Sequence, residues 1–304
     1  MTIRGVFALS LLLAAFIPTV AERASLEVID VAVEGPGGKA VTGLTAQDFE
    51  LEINGAPRPI ESFAAARPLS LVLLFDITTS METMIKRRAI SNAFEKFFIG
   101  QLQPEDRVQV GSFGRKITIG PPIAGNPRAL LTAVQKALDP EDVDTHGPSP
   151  MWDAIDAAVT ALAPTSGRRA VILVSDGRAT ANREAPEDVG NRAVAAGVTV
   201  SVVGEDWEMT IRQDAETGVR VSSGAGLKWI AATTGGLYVP ERATEPAPGP
   251  ILDRLLAELH GRYTLGFTAP VRDGKMHALG IRVNRPGLTM RARRTFLAPL
   301  DSSQ

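Results

Sequence analysis

Leu69–Ser80 reads LSLVLLFDITTS, a nearly unbroken apolar run that stops abruptly at Asp76. A short run without polar alternation is the pattern of a strand covered on both faces. A second run, RAVILVS (Arg169–Ser175), stops in the same way at Asp176, and GVTVSVVG (Gly197–Gly204) is a third. Helical patterns lie between these strands. After Ser80, Ile85, Ala89, Ala93 and Phe97 keep a four-residue spacing, with Ile90 and Phe94 beside them. PRALLTAVQKAL (127–138), MWDAIDAAVTAL (151–162) and a stretch near DVGNRAVAAG (188–197) are amphipathic, and DRVQVGSF and KITIG are shorter strands. LKWIAATTGGLYV (227–239) reads as a helix, a glycine stop and an edge strand. Strands alternating with helices predict an α/β fold, a doubly wound, mostly parallel sheet of Rossmann-like type flanked by helices.

Outward from this region the period changes. SLEVIDVAVEG, DFELEING and RPIESFA alternate apolar and polar residues before it, with a turn at Asn54-Gly55. RYTLGF, HALGIRVN and LTMRARRTF do so after it, with a turn at Asp273-Gly274. Neither set has enough short strands to bury a face alone, so the two are expected to combine in a small antiparallel β-sandwich-like unit. The expected organisation is an N-terminal β segment (26–66), the α/β domain (68–243), a Pro-rich linker and helix (244–260) and a C-terminal β segment (261–298) packing with the first. Arg291, Arg293 and Arg294 in the last segment read as a solvated basic face.

Residues 1–21 carry Arg4, the apolar GVFALSLLLAAFI, a break at Pro18 and the short residues TVA. That apolar run is shorter than the roughly 20 residues needed to cross a bilayer. It reads as a cleaved signal peptide, so the expected location is secreted or periplasmic, with no transmembrane segment in the mature chain. The absence of cysteine removes disulfides, thiolate metal sites and a Cys nucleophile. A net charge of -2 on 304 residues argues against nucleic acid or an anionic membrane as partner.

The strand ends carry the chemistry. Asp76, Thr78 and Ser80 form D-x-T-x-S, Ser149 lies in the loop THGPSPMWDAI just before a helix, and Asp176 is the carboxylate of SDG. In open α/β sheets functional groups gather at the carboxyl ends of strands. Two carboxylates and three hydroxyls form an all-oxygen set suited to a hard divalent cation, Mg²⁺ or Mn²⁺. Neutral hydroxyls leave most of the cation's charge unneutralised, so a metal held this way welcomes a carboxylate from a partner. Each residue alone also fits a helix cap. His146 reads as a solvent-exposed loop histidine, and Met151 and Trp152 as core.

These motifs resemble the metal-ion-dependent adhesion site of von Willebrand factor type A domains. The flanks VTGLTAQDFELEINGAPRPIESF and RYTLGF…DGKMHALGIRVNRPGLTMRARRTF resemble the secreted bacterial proteins of that type frequent in Acidobacteria. The resemblance implies that the hydroxyls of Thr78, Ser80 and Ser149 touch the metal, and that Asp76 and Asp176 hold it mainly through water. Thr78 stands where the family pattern has Ser, and Ser149 where it has Thr. Both exchanges keep a hydroxyl, and prolines bracket Ser149. The implied function is a non-enzymatic, metal-dependent binding or adhesion module whose protein partner presents a carboxylate. A Mg-dependent phosphohydrolase is the alternative class, but it needs a second carboxylate where Thr78 stands. No Ser-His-Asp, G-x-S-x-G or P-loop element is present. A structural envelope protein with a non-functional metal site is the third. After GVTVSVVG, the segment EDWEMTIRQDAETGVRVSSGAG is long for a βα connection and reads as a hairpin, with Trp207 as an anchor beside the metal.

Overall fold

The computed structural model describes residues 26–78, 81, 90–139, 147–205, 224–241 and 249–301. The expected signal peptide, Ser80, Ile85, Ala89, His146, and the hairpin with Trp207 lie outside the described residues.

The chain begins with β1 (Leu26–Glu34), β2 (Phe49–Ile53), β3 (Ala56–Arg58) and β4 (Ser62–Ala64). It then enters β5 (Leu69–Asp76), β6 (Arg107–Phe113), β7 (Ile117–Ile119) and β8 (Ile123–Ala124). Helices α1 (Pro127–Ala137) and α2 (Met151–Leu162) precede β9 (Arg168–Ser175). Helix α3 (Pro186–Ala195), β10 (Val198–Glu205), α4 (Ala225–Thr234) and β11 (Tyr238–Glu241) follow. Helix α5 (Gly249–His260) leads into β12 (Tyr263–Thr268), β13 (Met276–Val283), β14 (Thr289–Arg291) and β15 (Thr295–Leu297).

Among the described residues the central sheet has the order β11-β10-β9-β5-β6-β7, with β8 also on β6. Strands β11, β10, β9, β5 and β6 run parallel, while β7 and β8 pair antiparallel with β6 at the edge. The apolar run that begins at Leu69 therefore lies between β9 and β6. Its side chains alternate between two cores, as a period of two requires. Leu69, Leu71, Leu73 and Phe75 pack with Phe94, Phe98, Leu130, Val134 and the apolar side of α5. Val72 and Leu74 face Met151, Trp152, Ile155, Val189, Ala193 and Leu227. Each such fully buried side chain stabilises the fold by about 1.5–3 kcal/mol. The helix ahead of β6 ends in a π-helical turn, Phe94–Phe98, which brings Phe94 and Phe98 to a ring-centroid distance of 4.6 Å.

Strands from the two chain ends pair with each other. β1 lies between β14 and β12, with β4 beyond β12, and β13 lies between β15 and β2, with β3 beyond β2. The two sheets close on Ile29, Val31, Phe49, Leu51, Ile53, Leu265, Phe267, Leu279, Ile281 and Phe296. At the β2–β3 turn Asn54 and Gly55 have φ of 51° and 78°, the left-handed pair of a type I′ hairpin. LTMRARRTF is not one strand. β14 joins β1, β15 joins β13, and Ala292–Arg294 crosses between the sheets.

Arginines tie the two β layers to the central sheet. Arg168, the first residue of β9, is fully buried; it donates to Leu259 O (2.6 Å) and Arg262 O (2.7 Å) and lies 3.4 Å from Asp30 Oδ1. Arg262, also fully buried, donates to Gly235 O (2.7 Å) and Glu258 Oε1 (2.6 Å). The solvated basic face expected at Arg291, Arg293 and Arg294 is corrected in part. Arg291 clasps both Glu34 oxygens at 2.9 and 3.0 Å, and Arg293 donates to Val28 O (2.9 Å) and Val194 O. Only Arg294 is exposed. The reason is that Arg291 also reaches Glu258 of α5, and Arg293 lies between α3 and β1, so the side read as open to water is covered.

The Arg291 clasp holds the Glu34 carboxyl below the ordinary glutamate range. A carboxylate so lowered contributes stability at pH above that range and loses it as pH falls through its folded value. Glu34→Gln is expected to cost about 1–2 kcal/mol at pH 7, near the low end for charged hydrogen bonds. The difference from wild type should shrink in acid. Thermal unfolding at pH 7 and pH 3 checks this.

Candidate metal centre

Asp76 is the last residue of β5, and Asp176 directly follows β9, its parallel neighbour. Register puts both at the carboxyl edge of the sheet. Ser149 reaches the same edge from the loop that opens α2, and Thr78 from the turn after β5. All four are buried: Asp76 is 3% exposed, Thr78 4%, Ser149 5% and Asp176 1%.

The Asp76 carboxylate organises the cluster. Its Oδ1 accepts from Thr78 N (3.0 Å) and Thr78 Oγ1 (2.6 Å), and its Oδ2 from Ser175 Oγ (2.7 Å) and Ser149 Oγ (3.4 Å). Ser175 Oγ also accepts from Gly177 N at 3.1 Å. Asp176 Oδ1 accepts from Arg178 N (2.9 Å), and the half-exposed Arg178 guanidinium lies 3.5 Å from its Oδ2. Burial pushes the Asp76 carboxyl up from the ordinary aspartate range; hydrogen bonds from Thr78 and Ser175 oppose the shift, and the charge of Asp176 adds to it. The structure thus brings together four of the five residues expected at the site, and Ser80 lies outside the described residues.

Several contributors were not among the expected site residues. Ser175, at the end of an otherwise apolar strand, orients Asp76. Its small polar side chain among apolar neighbours was a readable signal. Thr180 holds the Ser149 loop twice, as Ser149 N donates to Thr180 Oγ1 (2.9 Å) and Thr180 N to Ser149 O (2.8 Å). Asn182 Oδ1 accepts from Trp152 N at 2.7 Å, capping α2 from outside, because Pro150 at the N-cap position supplies no side-chain acceptor. Asp153 Oδ1 closes the loop by accepting from Arg183 N and Glu184 N, both at 2.9 Å. Loop residues show no periodicity, so these roles were invisible. Gly177 is required by its position: φ is +80°, and a Cβ there would stand 2.9 Å from Leu227 Cδ1. Asn182→Ala should cost about 1 kcal/mol, the usual value of a lost cap, and loosen Ser149. Chemical denaturation and amide exchange at Met151–Ala154 read both effects.

Among the described residues no three His, Asp or Glu side chains form a group that could hold a metal ion. The donor set is therefore carboxylate plus hydroxyl. It fits a hard cation: two buried carboxylates of like charge stand with neutral oxygens at one sheet edge, and Arg178 is the guanidinium beside Asp176 among the described residues. Beside it lies a groove of about 670 Å³ lined by Ile77, Val110 and Ile119, with Arg115, Lys116 and Lys136 among its lining residues.

An open parallel sheet with a carboxylate–hydroxyl cluster at its carboxyl edge defines a class of α/β binding domains. The von Willebrand factor type A domain model matches residues 70–221, and the chain belongs to that family. Among solved structures, the chain is similar to proximal thread matrix protein 1 of the mussel byssus, a structure described as having a zinc-occupied MIDAS motif. Identity is 13% over 68% of this chain and 49% of that one, with a TM-score of 0.51. It is also similar to a von Willebrand factor type A protein from Catenulispora acidiphila (15% identity, 84% and 74% coverage, TM-score 0.49). An aerotolerance-related membrane protein from Bacteroides fragilis matches at 16% identity (63% and 98% coverage, TM-score 0.47). No curated protein matches the sequence. No helix among the described residues is long and apolar enough to cross a membrane.

Proposed function

We propose that this protein is a secreted or periplasmic, non-enzymatic binding module in which a divalent cation, Mg²⁺ or Mn²⁺, receives a carboxylate from a protein partner. Thr78, Ser80 and Ser149 would hold the cation through their hydroxyls, and Asp76 and Asp176 mainly through water. The observation that carries this reading is the convergence of Asp76, Thr78, Ser149 and Asp176, all buried, on one sheet edge. When bound, the cation supplies a Lewis-acidic point that stays electrophilic because its nearest ligands are neutral. The chain's own residues set the geometry: Ser175 and Thr78 fix the Asp76 carboxylate, and Thr180 fixes the loop that carries Ser149.

The neighbouring groove supports an acidic partner. Arg115, Lys116 and Lys136 line it, and no acidic residue does among the described ones. Such a surface steers acidic ligands and raises their association rate.

The test uses an immobilised full chain and an aspartate-rich peptide. Retention should require millimolar Mg²⁺ or Mn²⁺ and end on adding chelator. Retention that chelator leaves unchanged, or no retention with metal present, would overturn the reading.

A further inference from the structure

At the opposite pole, where β9 begins, a crevice separates the central sheet from the flanking strands. We propose that it binds a small oxyanion, phosphate or sulfate, held by Arg67, Arg169 and Arg293, and that this ion fastens the two layers together. Its volume is about 70 Å³. That is several times the ~10–15 Å³ an ordered water needs, and far short of a nucleotide or peptide.

The donors in the crevice outnumber their acceptors. Arg67, in the segment that enters β5, has no hydrogen bond or ion pair among the described residues. Arg293 spends its terminal nitrogens on Val28 O and Val194 O, while its buried Nε has no partner. Arg169 donates from Nε to Thr165 O (2.9 Å) and from Nη1 to Ala196 O (2.7 Å), which leaves Nη2 for a ligand. Among the described residues Asp30 is the single carboxylate in the lining. Its Oδ1 already accepts from Thr264 Oγ1 at 2.5 Å and faces Arg168 Nε.

Behind this row stand Arg168 and Arg262, both fully buried. Positive charges crowd one another here: burial pushes the Arg168 guanidinium down, and the neighbouring charges of Arg262 and Arg67 add to the shift against the pull of Asp30. The carbonyl end of α3 does not repel an incoming anion strongly, because Arg293 and Arg169 already occupy the carbonyls of Val194 and Ala196. Gly167 and Gly197 put no side chain into the crevice. The ion would bridge Arg169 of the central sheet to Arg293 between β14 and β15. Guanidinium forks match tetrahedral oxyanions in geometry as well as charge.

The experiment is calorimetric titration of the full chain with phosphate, in chelator and at fixed ionic strength, with chloride as control. Chelator makes the result independent of the proposed metal function. Saturable binding with a raised melting temperature is expected, and chloride should give neither. Arg67→Gln should weaken binding about tenfold, the loss of one charge-assisted pair, and Arg67→Lys should restore part of it. Arg67 is half-buried and has no bond among the described residues, so these variants should fold. Phosphate acting no differently from chloride, or Arg67→Gln binding as tightly as wild type, would overturn the proposal.

Discussion

Asp76→Ala is expected to abolish the rise in melting temperature that millimolar Mg²⁺ or Mn²⁺ gives the wild-type protein. A ligand that binds only the folded state stabilises it by about 2.7 kcal/mol at a hundredfold excess over Kd. In a chain of this size each kcal/mol shifts the transition by roughly 2–4 °C, so the wild type should gain several degrees. The variant also loses the acceptor for Thr78 and Ser175. In chelator it should therefore be about 1–3 kcal/mol less stable, the cost of buried donors left unpaired. Asp76→Asn separates the two effects. It keeps an acceptor and removes a buried negative charge that burial and Asp176 both disfavour. Without metal it should be at least as stable as wild type, yet it should not respond to metal. A melting curve of Asp76→Asn that rises with Mn²⁺ as wild type does would place the metal elsewhere.

Arg168→Ala is the second large effect. The substitution strips donors from Leu259 O and Arg262 O, and removes the charge facing Asp30. Arg168 is fully buried, and the Asp30 side chain is only 12% exposed. Breaking a buried ion pair by deleting one partner typically costs about 3–5 kcal/mol. The loss should loosen the contact between β9 and the junction of α5 with β12 first. Urea unfolding measures the total, and amide exchange at Tyr263–Leu265 should rise before that at Val171–Leu173. An Arg168→Ala protein as stable as wild type would mean that the junction rests on apolar contacts alone.

Strands buried on both faces announce themselves as unbroken apolar runs, and this is why β5, β9 and β10 were legible. Their ends were legible because a charged residue after such a run must sit where the sheet stops. Asp76 and Asp176 follow from that logic, and the sheet's parallel register brings them together. The alternating strands at both ends were readable by period, and their pairing by the need of each set for a partner face. The arginine network was not. Alternation shows that Arg291 and Arg293 share a side of the chain but not what covers that side, and here α3, α5 and β1 do. The break of LTMRARRTF into β14 and β15 was hidden for a related reason. Crossing from one sheet to another at Ala292–Arg294 leaves no mark in hydrophobic period. Thr180, Asn182 and Asp153 act through one or two hydrogen bonds to backbone groups, which composition does not encode.

The central claim is that this carboxylate–hydroxyl cluster is a divalent cation site. Anomalous diffraction from crystals soaked in Mn²⁺ tests it most directly. A peak is expected at the carboxyl edge of β5 and β9, at about 2.1 Å from the Thr78 and Ser149 hydroxyl oxygens, the range expected of a small hard cation. Asp76 and Asp176 should lie near that peak with water between. No peak at this edge in Mn²⁺-soaked crystals, or a peak held by other side chains, would contradict it.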